Sequence, residues 1–418
     1  MSTCARRRQA ASCASLTLLT TLTASPSFAE GFLDDASAAL NLRNYYINRN
    51  FVDPRNSQAK AEEWVQTFIL DVKSGYTPGI VGFGVDLLGS VTYKLDGGGG
   101  TTNTGLLPRS TTSHNGSYDS PETVGRIGAA LKAKVSKTEI KFGEQMPVLP
   151  ILRADDFGRA KPQTFDGISL VSKELPNLTL YTGQMTATSQ RNDSSMVEMT
   201  AYGAYSDKFD YAGGEYTFGP NHTLVGIWSG RLKDIYQQDY VGLTHFQPLG
   251  RWTLGAKLGY FKGKDSGQAL GGALDNRTSS ALLSARIAGH TLSLGLQQVD
   301  GATNWMRVGG TNGGALANDT WNNSFENAHE RSRKLKYDYD FAAIGIPGLT
   351  ASMSYTHGNN ITATGTQDGT EWERDTEIGY TIQSGSLKSF NIRARQSSLR
   401  RDWNSTDFDE VRIIMSYP

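Results

Sequence analysis

Arginines recur in this chain on alternate residues of otherwise apolar segments. In FNIRARQ, Phe390, Ile392 and Ala394 share one side of an extended strand, and Arg393 and Arg395 share the other, because strand side chains alternate with a period of two. The terminal VRIIMSYP sets Arg412 opposite Val411, Ile413, Met415 and Tyr417, and LNLRNYYINRNF sets Arg43 and Arg49 opposite Leu40 and Leu42. Guanidiniums spaced roughly 7 Å apart along a strand bind carboxylates through paired, charge-assisted hydrogen bonds, so a row of them can hand an anion onward without holding it tightly. The plainer reading, that each arginine pairs with an acid and keeps a pore in shape, is at least as good for any one of them. Collection on neighbouring strands favours a path.

Other chemistries find less support. The six histidines, His114, His222, His245, His290, His329 and His357, include no two at metal-ligand spacing. There is no G-x-S-x-G elbow, and GYFKGKD falls one residue short of a phosphate loop and lies on a strand pattern, so its lysine reads as a strand-end charge. The acid pairs Asp34-Asp35, Asp155-Asp156 and Asp409-Glu410 read as solvated loop charge. An outer-membrane hydrolase with a Ser, His and acid grouped at the rim, around His245 or His290, is a remote alternative. No metal and no cofactor are expected.

The elements that must position these arginines are strands. The opening MSTCARRRQAASCASLTLLTTLTASPSFAE has a basic region, an apolar stretch and small residues before Glu30, which is the layout of a secretory signal over residues 1–29. Cleavage after Ala29 removes both cysteines, Cys4 and Cys13, so neither a disulfide nor a structural zinc site is expected in what remains. The remaining 389 residues carry 38 basic and 41 acidic groups, a net −3 (41 basic residues less Arg6, Arg7 and Arg8), which argues against nucleic-acid binding.

Strict alternation with aromatic ends marks membrane-crossing strands. RWTLGAKLGYF places Trp252, Leu254, Ala256, Leu258 and Tyr260 on one face, and LTASMSYT, TLSLGLQ and EIGYTIQ repeat the pattern. Gly213-Gly214 and Pro248-Leu249-Gly250 are expected as short turns; Asp96 to Ser120 and Asp300 to Glu330 are expected as long loops. A soluble β-sandwich alternates too, but it explains neither the aromatic ends nor the repeated Ser, Thr and Gly opposite them. At about twenty residues per strand with its connection, the chain accommodates a number of strands in the mid-to-high teens, enough for an aqueous channel. One barrel over residues 30–418 is expected, crossing the outer membrane of a Gram-negative bacterium many times and bounded by its lipid. An arginine facing that lipid at mid-depth costs about 2–4 kcal/mol, so the arginines belong in the lumen.

Several stretches resemble the OprD family of outer-membrane porins: NLRNYYINRNF, EEWVQTFILDVKSGYTPGIVGFGVDLLGSVTYKLDG, KFGEQMPVLPILRADDFGRAKPQTFDGISL and KYDYDFAAIGIPGLTASMSY. The resemblance implies an all-β, transmembrane antiparallel barrel of 18 strands with inward-folded third and seventh loops, monomeric or loosely trimeric, admitting small carboxylates along a ladder of basic residues. It places the narrowing at MPVLPILRADDFGRAKPQTF, where Gly158-Arg159 stand in for the family's common Ser-Arg, and makes Arg159 the candidate grip on the carboxylate. Glycine at 158 carries no hydroxyl, and AKPQTF departs from the family's common LLPQTF. The ladder maps to Arg393, Arg395 and Arg412, and to Arg43 and Arg49; Asp319, in GGALANDTWNNSFENAHERS, is the candidate acidic counterpart at the neck. The wording of MPVLPILRADD and LANDTWNNS is closer to members that take cyclic or aromatic acids, benzoate channels among them, than to those that take basic amino acids, the alternative substrate class.

Overall fold

The computed structural model describes residues 31–418 except 111–112, 115–116, 156–157 and 220–222. The leader, its cleavage point, Asp156 and His222 lie outside the described residues. Eighteen strands form one antiparallel sheet, closed where the first (Ser37–Phe51) pairs with the last (Phe408–Tyr417). Closure satisfies every strand edge, which is what allows a sheet to sit in hydrocarbon.

Alternation works as the sequence implies. Leu292, Leu294 and Leu296 point outward and are exposed, and so do Trp252, Leu254, Leu258 and Tyr260. The EIGYTIQ strand stops at Thr381, so Ile382 falls just past it. Both ends of the described chain lie at the rim that carries mostly short connections, such as residues 136–137, 250–251 and 288–289. The opposite rim carries the four longest, residues 98–122, 146–163, 190–208 and 301–330. This asymmetry matches outer-membrane barrels, whose long loops face outward from the cell.

Gly213-Gly214 is not a turn. It lies inside the strand Phe209–Phe218, and a side chain at Gly213 would collide with the Trp228 indole of the neighbouring strand. The glycine pair makes room for a buried ring, and glycine used for close packing is indistinguishable in one sequence from glycine used for a turn. Pro248-Leu249-Gly250 does lead into a turn, with Gly250 at φ +60°.

The lumen is not evenly polar. Tyr211, Trp228, Tyr240 and Phe261 point inward, and Ile151, Leu152, Trp305, Met306 and Val308 from the third and seventh loops pack on them. Each such side chain contributes about 1.5–3 kcal/mol on burial. This packing fills one side of the lumen, which leaves the passage against the opposite wall.

A two-chambered passage with an arginine-lined mouth

The opposite wall is formed by the strands Thr366–Thr381, Asn391–Arg401, Phe408–Tyr417 and Ser37–Phe51. Pairing sets Arg395 across from both Arg412 and Glu377, and Arg49 across from Glu410. A chamber of about 1730 Å³ opens towards the long loops, and a second, of about 450 Å³, lies towards the short turns. Asp319, Thr320, Trp321 and Arg395 border both, so the neck lies there.

Among the described residues the mouth chamber is bordered by nine arginines, Arg49, Arg109, Arg153, Arg159, Arg191, Arg307, Arg395, Arg401 and Arg412, against three carboxylates, Asp155, Asp319 and Glu326. Six of these arginines are ion-paired, Arg49 and Arg412 to Glu410, Arg395 to Glu377, Arg401 to Glu371, Arg191 to Asp155 and Arg307 to Glu326, so with the acids just behind the wall counted a smaller positive excess remains, of the kind that favours small anions. Past the neck the balance turns: Arg286, Lys334, Lys336 and Arg395 face Asp319, Asp338, Asp340, Asp375 and Glu377. The positive excess is not continued below.

Arg159 of the third loop is buried and well supported. Its Nε donates to the Thr104 carbonyl at 2.9 Å and its Nη1 to the Gly158 carbonyl at 2.9 Å, while Arg43 donates to the Arg159 carbonyl at 3.0 Å. Among the described residues no carboxylate is within ion-pair distance of Arg159. Burial, with Arg412 and Arg191 nearby, holds its guanidinium well below the usual arginine range. Such a group gains from an arriving anion. Gly158 presents backbone only: its N–H donates to Asp155 at 2.7 Å, and a Cβ there would lie 2.6 Å from both Asp155 carboxylate oxygens. Asp155 also pairs with Arg191.

The other candidate arginines divide. Arg49 and Arg412 share the buried Glu410, at 2.7 and 2.5 Å, and both also donate to Asn322 of the seventh loop. Arg395 pairs with Glu377 and lies 4.4 Å above the Trp321 ring. Arg43 and Arg393 border neither chamber; Arg43 supports the third loop, and the Nε of Arg393 is buried with no hydrogen-bond partner. The reading of Asp409-Glu410 as solvated loop charge is corrected for Glu410, which the last strand points inward; Asp155 likewise is buried and ion-paired.

Asp319 accepts from Ser324 at 2.7 Å, its carbonyl accepts from Lys334 at 3.0 Å, and burial raises its carboxyl above the usual range. Its loop is stitched across the lumen. Lys257 holds Gly314, Gln297 holds Ser324 and Phe325, and Glu373 accepts from Thr320 and Asn322. Glu373 belongs to a row, Glu371, Glu373, Asp375 and Glu377, that lines the wall beside the arginines. The same alternation in EWERDTE places this row on the inward face. Arg109, Arg153, Arg191 and Arg307 lie on loops, where no periodicity announces their direction. Among the described residues, no three His, Cys, Asp or Glu side chains are grouped to hold a metal ion.

The family model of the OprD outer membrane porins matches residues 30–418. The chain belongs to that family. This OprD-family chain is 52% identical over 396 residues to the porin-like protein GalP of Pseudomonas putida, covering 94% of each. It is similar to a BenF-like porin from Pseudomonas fluorescens Pf-5 (52% identity, TM-score 0.90, covering 93% of this chain and 99% of that one). Two Pseudomonas aeruginosa structures hold carboxylates: OpdK with vanillate (46%, TM-score 0.87, 93% and 99% covered) and OccK2 with glucuronate (51%, TM-score 0.83, 93% and 97% covered). These relatives are channels, and OprD-family porins are outer-membrane proteins of Gram-negative bacteria.

Proposed function

We propose that this porin is a substrate-selective, passive uptake channel for small carboxylates, with aromatic acids such as benzoate as its favoured class. The observation that carries the reading is the excess of arginine over carboxylate around the mouth chamber, nine to six when the ion-paired Glu371, Glu377 and Glu410 are counted with the three bordering acids, above a neck where Arg395 lies against Trp321. Arg159 grips the arriving carboxylate over the backbone of Gly158, Asp319 faces it at the neck, and Arg49, Arg412 and Arg395 carry it past, with Arg43 and Arg393 supporting the wall. Vanillate in OpdK favours the aromatic class; glucuronate in OccK2 favours a broader class of cyclic acids. Affinity is weak and falls with salt, because the arginines border a water-filled chamber in which mobile ions screen them. The leader is removed after Ala29, and the barrel works as a monomer or loose trimer.

Single-channel recording in a planar bilayer tests this, with benzoate and then arginine added to the wild type and to Arg395→Ala. Benzoate is expected to interrupt the current, less so in the variant. Interruption by arginine alone would establish a basic-amino-acid porin instead.

A further inference from the structure

Trp321 is the one aromatic ring among the four residues that border both chambers. Its neighbours fix it from both sides. Thr320 and Asn322 are bound to Glu373, and the Trp321 carbonyl lies 3.5 Å from Nη2 of Arg412, so the backbone on which the indole hangs cannot swing aside without breaking contacts to the wall. Arg395 caps the ring at 4.4 Å while its Nε is engaged by Glu377. Nothing in a neck built only for charge calls for an indole; a smaller polar side chain would leave a wider anion path.

Resting on the carboxylate-uptake reading above, we propose that Trp321 is the ring-recognising element of the neck. A solute whose carboxylate moves from the mouth arginines to Arg395 brings its ring beside the indole. A flat aromatic ring gains an offset or edge contact there that a saturated ring of similar size and equal charge does not. The guanidinium over the same indole keeps the two interactions together: it holds the carboxylate near the ring and, through its pairing with Glu377, accepts it weakly enough to let it leave. Charge therefore selects at the mouth and ring chemistry selects at the neck. The arrangement assigns aromatic over saturated cyclic acids to one side chain.

The test compares benzoate with cyclohexanecarboxylate, which share charge and ring size, by reversal potentials under bi-ionic conditions. Wild type, Trp321→Phe and Trp321→Leu are measured, and potassium chloride conductance confirms each barrel is inserted and open. The benzoate-to-cyclohexanecarboxylate permeability ratio is expected to fall roughly two- to tenfold in Trp321→Leu, the range an aromatic pair supplies beyond buried area, and to be largely kept in Trp321→Phe. An unchanged ratio in Trp321→Leu, whatever happens to total conductance, overturns the proposal by making Trp321 a spacer. Equal wild-type permeability to both acids also overturns it while leaving carboxylate uptake intact. Only failure of wild type to pass either acid would remove the functional reading beneath it.

Discussion

Glu410 lies directly across the barrel's closing seam from Arg49 and two residues from Arg412, and its carboxylate is shared by both guanidiniums. The seam that completes the cylinder is thus also where the mouth chamber keeps part of its positive charge in check. Two cations on adjacent strands, Arg412 buried and Arg49 half-buried, repel each other, and one carboxylate between them lets both remain without closing the passage.

Replacing it tests that balance. Glu410→Gln leaves two arginines without their common negative charge and with one acceptor oxygen in place of two, and a loss of about 1–3 kcal/mol is expected from hydrogen bonds to charged groups. Urea unfolding of the barrel in lipid vesicles measures it. In the same variant benzoate should block the channel for longer, since both guanidiniums are then available to the solute. Shorter blocks would mean that Glu410 aligns the arginines and does not restrain them.

Gly158→Ser meets Asp155 at once, because the new Cβ would lie 2.6 Å from both carboxylate oxygens. Asp155 must move and its pairing with Arg191 must loosen, at an expected cost of about 1–3 kcal/mol typical of overpacking. Asp155→Ala should relieve most of that cost, so a double-mutant cycle read by unfolding midpoints should show strong coupling. Additive effects would place the strain elsewhere.

Charge at the mouth should depend on pH in one direction. Burial raises the carboxyls of Asp319 and Glu326 above the usual range, so they take up protons at higher pH than ordinary acids while the arginines stay charged. Anion preference, read from reversal potentials in a salt gradient, should rise as pH is lowered from neutral. Because the folded-state values are raised, these two groups contribute stability at low pH that is lost as pH rises through those values. Asp319→Asn with Glu326→Gln should flatten the pH response; a wild-type preference that falls on acidification would contradict the assignment of these groups to the mouth.

Wall direction can be tested by an adjacent pair. Leu294→Arg puts a guanidinium into lipid and should destabilise the barrel by about 2–4 kcal/mol if its depth is near the midplane. Ser293→Arg, one residue earlier, faces the lumen and should instead change conductance with a smaller stability cost. Vesicle unfolding together with single-channel conductance separates the two.

The sequence by itself determined the barrel and the facing of its wall residues. Hydrocarbon forces a period of two on every crossing strand, so Arg393, Arg395 and Arg412 could be placed inside from their neighbours Ile392, Ala394 and Val411 alone, and Glu371 to Glu377 could have been placed in the same way. Tertiary structure alone decided where the passage runs. Trp228 and Phe261 gather the third and seventh loops to one side, and no local pattern reveals that, because the packing joins residues far apart in the chain. It also decided which arginines meet: Arg49 and Arg412 converge on Glu410 only when the first and last strands pair, and Arg395 reaches Trp321 only because a loop tied to Glu373 crosses the lumen. Direction is written in a strand's period, whereas distance is set by closure and by the loops packed inside.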